Sequence, residues 1–112
     1  MINIGSIVWG VRDLDRAIAF WTEALSYQVA YRDSDFAILK PLEGQGIQLS
    51  LNKVSSLKAR RHHLDLFSDN REEDVKRLIA LGAKKKIWTY EEDADYVVLE
   101  DPDGNPFCVV QI

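Results

Sequence analysis

The chain has 112 residues, 46% of them hydrophobic, and a formal net charge of -4. That length suits a single soluble domain, 1–112, with a real core, and the acidic balance excludes a phosphate backbone as the expected partner, because nucleic-acid binding rests on clustered Lys and Arg. The two short basic clusters, Arg60-Arg61 and Lys84-Lys85-Lys86, read as solvated loop or edge-strand charge.

A lone cysteine, Cys108, rules out an internal disulfide framework and fits a reducing compartment. No apolar run approaches the length of a membrane span, and the first residues lack the basic start and apolar stretch of a signal peptide. The expectation is a cytoplasmic protein with no membrane partner.

Ile2 to Val11 is rich in β-branched and aromatic residues and reads as a strand. Asp13 can cap the helix that follows, where Leu14, Ala17, Ile18, Trp21 and Leu25 recur at spacings of three and four and form one apolar stripe. Tyr27 to Arg32, Phe36 to Leu39 and Ile47 to Asn52 supply three more strands. Val54 to Ala59 has no clear period and reads as a connection.

The second half repeats this order. His62 to Phe67 is a strand; Asn70 with Glu73 three residues on matches a capping box; Val75, Leu78 and Ile79 continue a helix that Gly82 stops. Lys86 to Tyr90, Tyr96 to Leu99 and Pro106 to Gln111 read as strands. The last two join through Asp101-Pro102-Asp103-Gly104-Asn105, a run of turn formers.

Both halves therefore read βαβββ, as modules of about 1–54 and 60–112, and the fold class is α+β. One helix can cover only one face of each module's strands, so the uncovered faces are expected to curve around a shared cleft. On the fifth strand Leu64 and Leu66 share the side a helix would cover, while His63, Asp65 and Phe67 share the other. His63 and Asp65 can then pair by hydrogen bond, with Gln48 and Ser50 across the cleft.

The Val11-Arg12-Asp13-Leu14 lead into a helix carrying Ala19-Phe20-Trp21, the His63-Leu64-Asp65-Leu66 strand, Leu81-Gly82-Ala83 and the Asp101 to Cys108 ending resemble the glyoxalase, bleomycin-resistance and extradiol-dioxygenase (vicinal oxygen chelate) superfamily. The resemblance spans essentially the whole chain and is nearest to small glyoxalase-like domains. It implies paired βαβββ modules, often in a homodimer. It also implies, for the enzymes, a divalent metal held by His, Gln or Glu on the first and last strands of each module. That metal chelates neighbouring substrate oxygens as a Lewis acid.

Set against the family pattern, the ligand positions fall at Ser6, Gln48, His63 and Cys108. A hydroxyl, an amide, an imidazole and a thiol are not the carboxylate and imidazole set the resemblance leads one to expect. Zinc through His63 and Cys108 is the soft alternative, with two ligands too few for a tight site.

The expectation is therefore a glyoxalase-like or bleomycin-resistance-like protein that binds a small organic molecule in the cleft, with no cofactor and no complete metal site. Ser6, Gln48, Ser50, His63, Asp65, Trp88 and Cys108 would line the ligand. Trp88, with Tyr90 and Tyr96 near Glu91-Glu92-Asp93, would form an aromatic lip. Against this stands a metal-dependent lyase or isomerase with His63 as ligand or general base. A third reading is a structural dimer that binds nothing.

Overall fold

The computed structural model describes residues 1–55, 62–102 and 104–112. Asp103, the Arg60-Arg61 pair and most of the connection read over Val54 to Ala59 lie outside the described residues. The chain divides into two compact units, one of residues 6–62 and the other of residues 1–5 and 63–112. The first strand, β1 (Asn3–Val11), contributes to both, because its first residues join the second unit.

In the first unit β1 leads into α1 (Leu14–Leu25), β2 (Tyr27–Arg32), β3 (Phe36–Pro41) and β4 (Gln48–Lys53). Asp13 starts the helix as expected, its Oδ1 accepting from the Arg16 amide at 3.0 Å. The strands lie in the order β2-β3-β4-β1. Neighbours are antiparallel except β1 with β4, which run parallel with Ser6 opposite Gln48 and Val8 opposite Ser50. A parallel pair needs a long crossover, and α1 with the β2-β3 hairpin supplies it. Alternation then sorts the faces. Ile7, Trp9 and Val11 turn to α1 and join Leu14, Leu39, Leu49 and Leu51 in the core, while Ser6, Val8 and Gly10 point the other way.

The second unit repeats the plan with β5 (His63–Ser68), α2 (Arg71–Ala80), β6 (Lys84–Lys85), β7 (Tyr96–Glu100) and β8 (Pro106–Gln111), in the strand order β5-β8-β7-β6. Here β5 and β8 form the parallel pair and set Asp65 opposite Cys108. Val75 of α2 packs on Leu99 and Val109, and Ile2 closes the same cluster from the N-terminal end of β1. The helix therefore rests on β7 and β8, which leaves Leu64 39% exposed rather than covered as its alternation suggests.

Two local expectations change. Asn70 does cap α2, accepting from the Glu73 amide at 3.3 Å. The Asn70 amide, however, donates to Ser68 Oγ at 3.0 Å rather than to the Glu73 side chain, and Ser68 in turn bonds Asp74 at 2.5 Å. Further on, the strand expected at Lys86 to Tyr90 is absent: β6 stops at Lys85, and residues 86–95 run without regular structure, with Ile87 fully exposed. Its ties to the rest of the unit include the Lys86 amide donating to the Val98 carbonyl at 3.2 Å, the Tyr90 hydroxyl accepting from the Val98 amide at 2.8 Å and the Asp95 carbonyl accepting from the Gln111 amide at 2.7 Å. An edge strand's outward amides find water equally well, so β-branched and aromatic content alone does not force pairing.

The turn into β8 forms as read. Gly104, at φ +86°, donates its amide to the Asp101 carbonyl at 2.9 Å, and the Asn105 amide donates to Asp101 Oδ1 at 2.8 Å. The repeat extends to the helix ends. Ser26, at φ 54°, closes α1 in the left-handed conformation that Gly82, at φ 121°, adopts after α2.

Candidate functional site

The polar residues singled out in the sequence form two groups, one within each unit. In the first unit Ser6 and Ser50 sit on neighbouring parallel strands and point to the same face. Both are essentially fully buried, and their hydroxyls share a hydrogen bond of 2.7 Å. Gln48 Nε2 donates to Ser50 Oγ at 3.4 Å. The hydroxyls satisfy one another, which is the condition for burying them at small cost.

In the second unit β5 and β8 bring His63, Asp65 and Cys108 together. His63 and Asp65 are two residues apart on one strand and share a face, which sets His63 Nε2 3.4 Å from Asp65 Oδ1. The parallel register adds Cys108 opposite Asp65. One donor atom from each of the three lies within 4.8 Å of the other two.

Burial pushes the Cys108 thiol up to about 12, reinforced by the Asp65 charge and by a hydrogen bond to its carboxylate. The thiol is therefore a neutral donor at neutral pH and not a nucleophile. What the group offers is an imidazole, a carboxylate and a thiol proton, all half-buried and all aimed at one spot.

The family's metal can be tested against these donors. In the first unit the corresponding positions hold a hydroxyl and an amide already bonded through Ser50, and that set does not fit a divalent ion. In the second unit an imidazole nitrogen, a carboxylate oxygen and a sulfur do fit a soft tetrahedral ion with one open position, although the thiol would first have to lose its proton.

Trp88 joins neither group. It lies in the irregular segment, 45% exposed, and has no ring contact among the described residues. Tyr90 and Tyr96 do meet edge to face at 5.6 Å, so the aromatic lip reduces to that pair.

Sequence reasoning missed His62, which stacks on Trp9 at 3.7 Å with ring planes 5° apart and accepts from the Gly10 amide at 3.3 Å through Nδ1. Its only signal was a histidine next to His63, which a strand reading absorbs.

No curated protein matches this chain. Among solved structures, the chain resembles a glyoxalase/bleomycin resistance protein/dioxygenase superfamily member from Vibrio splendidus 12B01, at 16% identity and a TM-score of 0.67, with all of both chains covered. It also resembles a methylmalonyl-CoA epimerase from Mycobacterium tuberculosis at 19% identity and a TM-score of 0.67, over 96% of this chain and 86% of that one. A third resemblance is to a structure described as an NAD-dependent benzaldehyde dehydrogenase from Legionella pneumophila, at 17% identity and a TM-score of 0.70, over 96% and 97% of the two chains. At these identities the likeness is one of fold. The glyoxalase-like domain profile, however, matches residues 6–110, nearly the whole chain, and with two βαβββ units beneath it the chain belongs to the glyoxalase-like domain family of the vicinal oxygen chelate superfamily.

Proposed function

We propose that this protein binds a small organic molecule through His63, Asp65 and Cys108, without a resident metal. The observation that carries this reading is the convergence of three half-buried polar side chains: His63 Nε2 lies 3.4 Å from Asp65 Oδ1, and the β5–β8 register sets Cys108 opposite Asp65. Burial and the neighbouring carboxylate favour the protonated thiol, so Cys108 can donate a hydrogen bond to Asp65. The three side chains then act as hydrogen-bonding groups. Asp65 orients His63, the imidazole donates or accepts toward a ligand, and Cys108 keeps the carboxylate in place. Such half-buried polar groups in an otherwise apolar strand face fix orientation, and the surrounding apolar surface supplies most of the affinity.

The test is a thermal-shift screen of metal-stripped protein against small aromatic and cationic compounds. The reading expects a compound whose stabilisation survives metal removal and disappears in His63→Ala. Stabilisation by divalent metal alone would overturn it.

A specific observation favours a second reading. His63, Asp65 and Cys108 supply three convergent donors where the sequence promised two, so a zinc-dependent lyase or isomerase with His63 as ligand has a more complete ligand set than expected. Elemental analysis of unstripped protein separates the two: stoichiometric zinc that His63→Ala removes supports the second reading, and metal-free protein ends it.

A further inference from the structure

At the start of α1 the first unit has a cavity of about 320 Å³ that the reading above does not use. Trp9, Phe20 and Trp21 line it together with Arg12, Asp13 and Arg16. The rings are held before any ligand arrives. Trp9 meets Trp21 edge-on at 6.4 Å, Phe20 meets Trp21 edge-on at 5.0 Å, and His62 covers one face of Trp9. Phe20 nevertheless stays 60% exposed, an apolar ring kept in water beside a recess rather than turned into the core.

The charges around the recess are arranged unevenly. Asp13 is engaged at the helix cap, where it accepts from the Arg16 amide. Arg32 of the same unit is paired with Asp15. The Arg12 and Arg16 guanidiniums, by contrast, have no hydrogen-bond or ion-pair partner among the described residues. A pre-set aromatic wall beside two guanidiniums that have no partner among the described residues matches a planar organic anion. The ring packs on Phe20 and Trp21, and a carboxylate takes charge-assisted hydrogen bonds from arginine. The volume is at the lower end of the roughly 300–1,000 Å³ typical of ligand sites, which limits the occupant to one or two rings.

We propose that this cavity binds small aromatic carboxylates, as a site separate from His63, Asp65 and Cys108. Isothermal titration calorimetry with 2-naphthoate and its neutral counterpart 2-naphthamide tests it on the intact protein. The proposal expects 2-naphthoate to bind at least tenfold more tightly than 2-naphthamide. Arg12→Gln/Arg16→Gln is expected to lose at least tenfold in affinity, and Phe20→Ala several-fold, while His63→Ala leaves binding unchanged. Both Arg12 and Arg16 are exposed, as is Phe20, so these variants keep the core intact. Absence of 2-naphthoate binding, equal binding of the amide, or loss of binding in His63→Ala would each overturn the proposal.

Discussion

Asp65 stands opposite Cys108 in the parallel β5–β8 pair, and its carboxylate helps to keep the thiol protonated. Burial is the larger cause, so Asp65→Asn is expected to bring the thiol only part of the way back toward its ordinary value of 9.0. Iodoacetamide should then alkylate Cys108 several-fold faster in Asp65→Asn than in the wild type at pH 8.5. Equal rates would show that Asp65 does not govern the thiol.

The same shift sets a pH dependence. A group that holds its proton more tightly in the folded state favours folding below its unfolded value, and that contribution is lost as pH rises toward the folded value. For Cys108 the window runs from 9.0 upward to about 12. Urea denaturation at pH 8 and pH 10.5 should show the wild type losing more stability than Cys108→Val over that interval.

Ser6 and Ser50 share a buried hydrogen bond of 2.7 Å. Removing one hydroxyl leaves the other without its buried partner, and Ser6→Ala is expected to cost about 1–3 kcal/mol in denaturant unfolding. The double variant Ser6→Ala/Ser50→Ala should cost less than the sum of the singles, because no orphaned hydroxyl is left behind.

Gly5 lies beneath the ring of Phe67, and a Cβ on residue 5 would fall on that ring. Gly5→Ala is expected to destabilise by roughly 1–3 kcal/mol through overpacking. Gly5→Ala/Phe67→Leu should recover part of the loss, measured by the same unfolding transition.

Ser26 holds a left-handed conformation that costs an L-residue about 1–2 kcal/mol, whereas glycine adopts it freely. After the greater unfolded-chain entropy of glycine is subtracted, Ser26→Gly should still stabilise by about 0.5–1 kcal/mol, read as a rise in Tm. A fall in Tm would mean that the Ser26 side chain does something the backbone does not show.

Local features were the legible ones. The Asp13 and Asn70 caps, the Gly82 stop, the turn at Asp101 and the pairing of His63 with Asp65 depend on residues one to four apart, and spacing reveals them. What joins Cys108 to Asp65 is the register of two parallel strands 43 residues apart (108 minus 65), which no local pattern encodes. The Ser6–Ser50 bond depends in the same way on the β1–β4 register. The segment around Trp88 misled because aromatic and β-branched content signals a pleated surface only where a neighbour strand exists to pair with it. His62 went unnoticed because a stacking partner 53 positions away (62 minus 9) leaves no trace in the alternation of its own strand.

His63, Asp65 and Cys108 are proposed to recognise an organic ligand with no ion present. The most direct measurement is an amide NMR titration of metal-stripped protein with a compound that stabilises it. Saturable shifts are expected at His63, Asp65 and Cys108, and they should vanish in His63→Ala. Spectra that leave those three residues unmoved, or that change only when zinc is added, would contradict it.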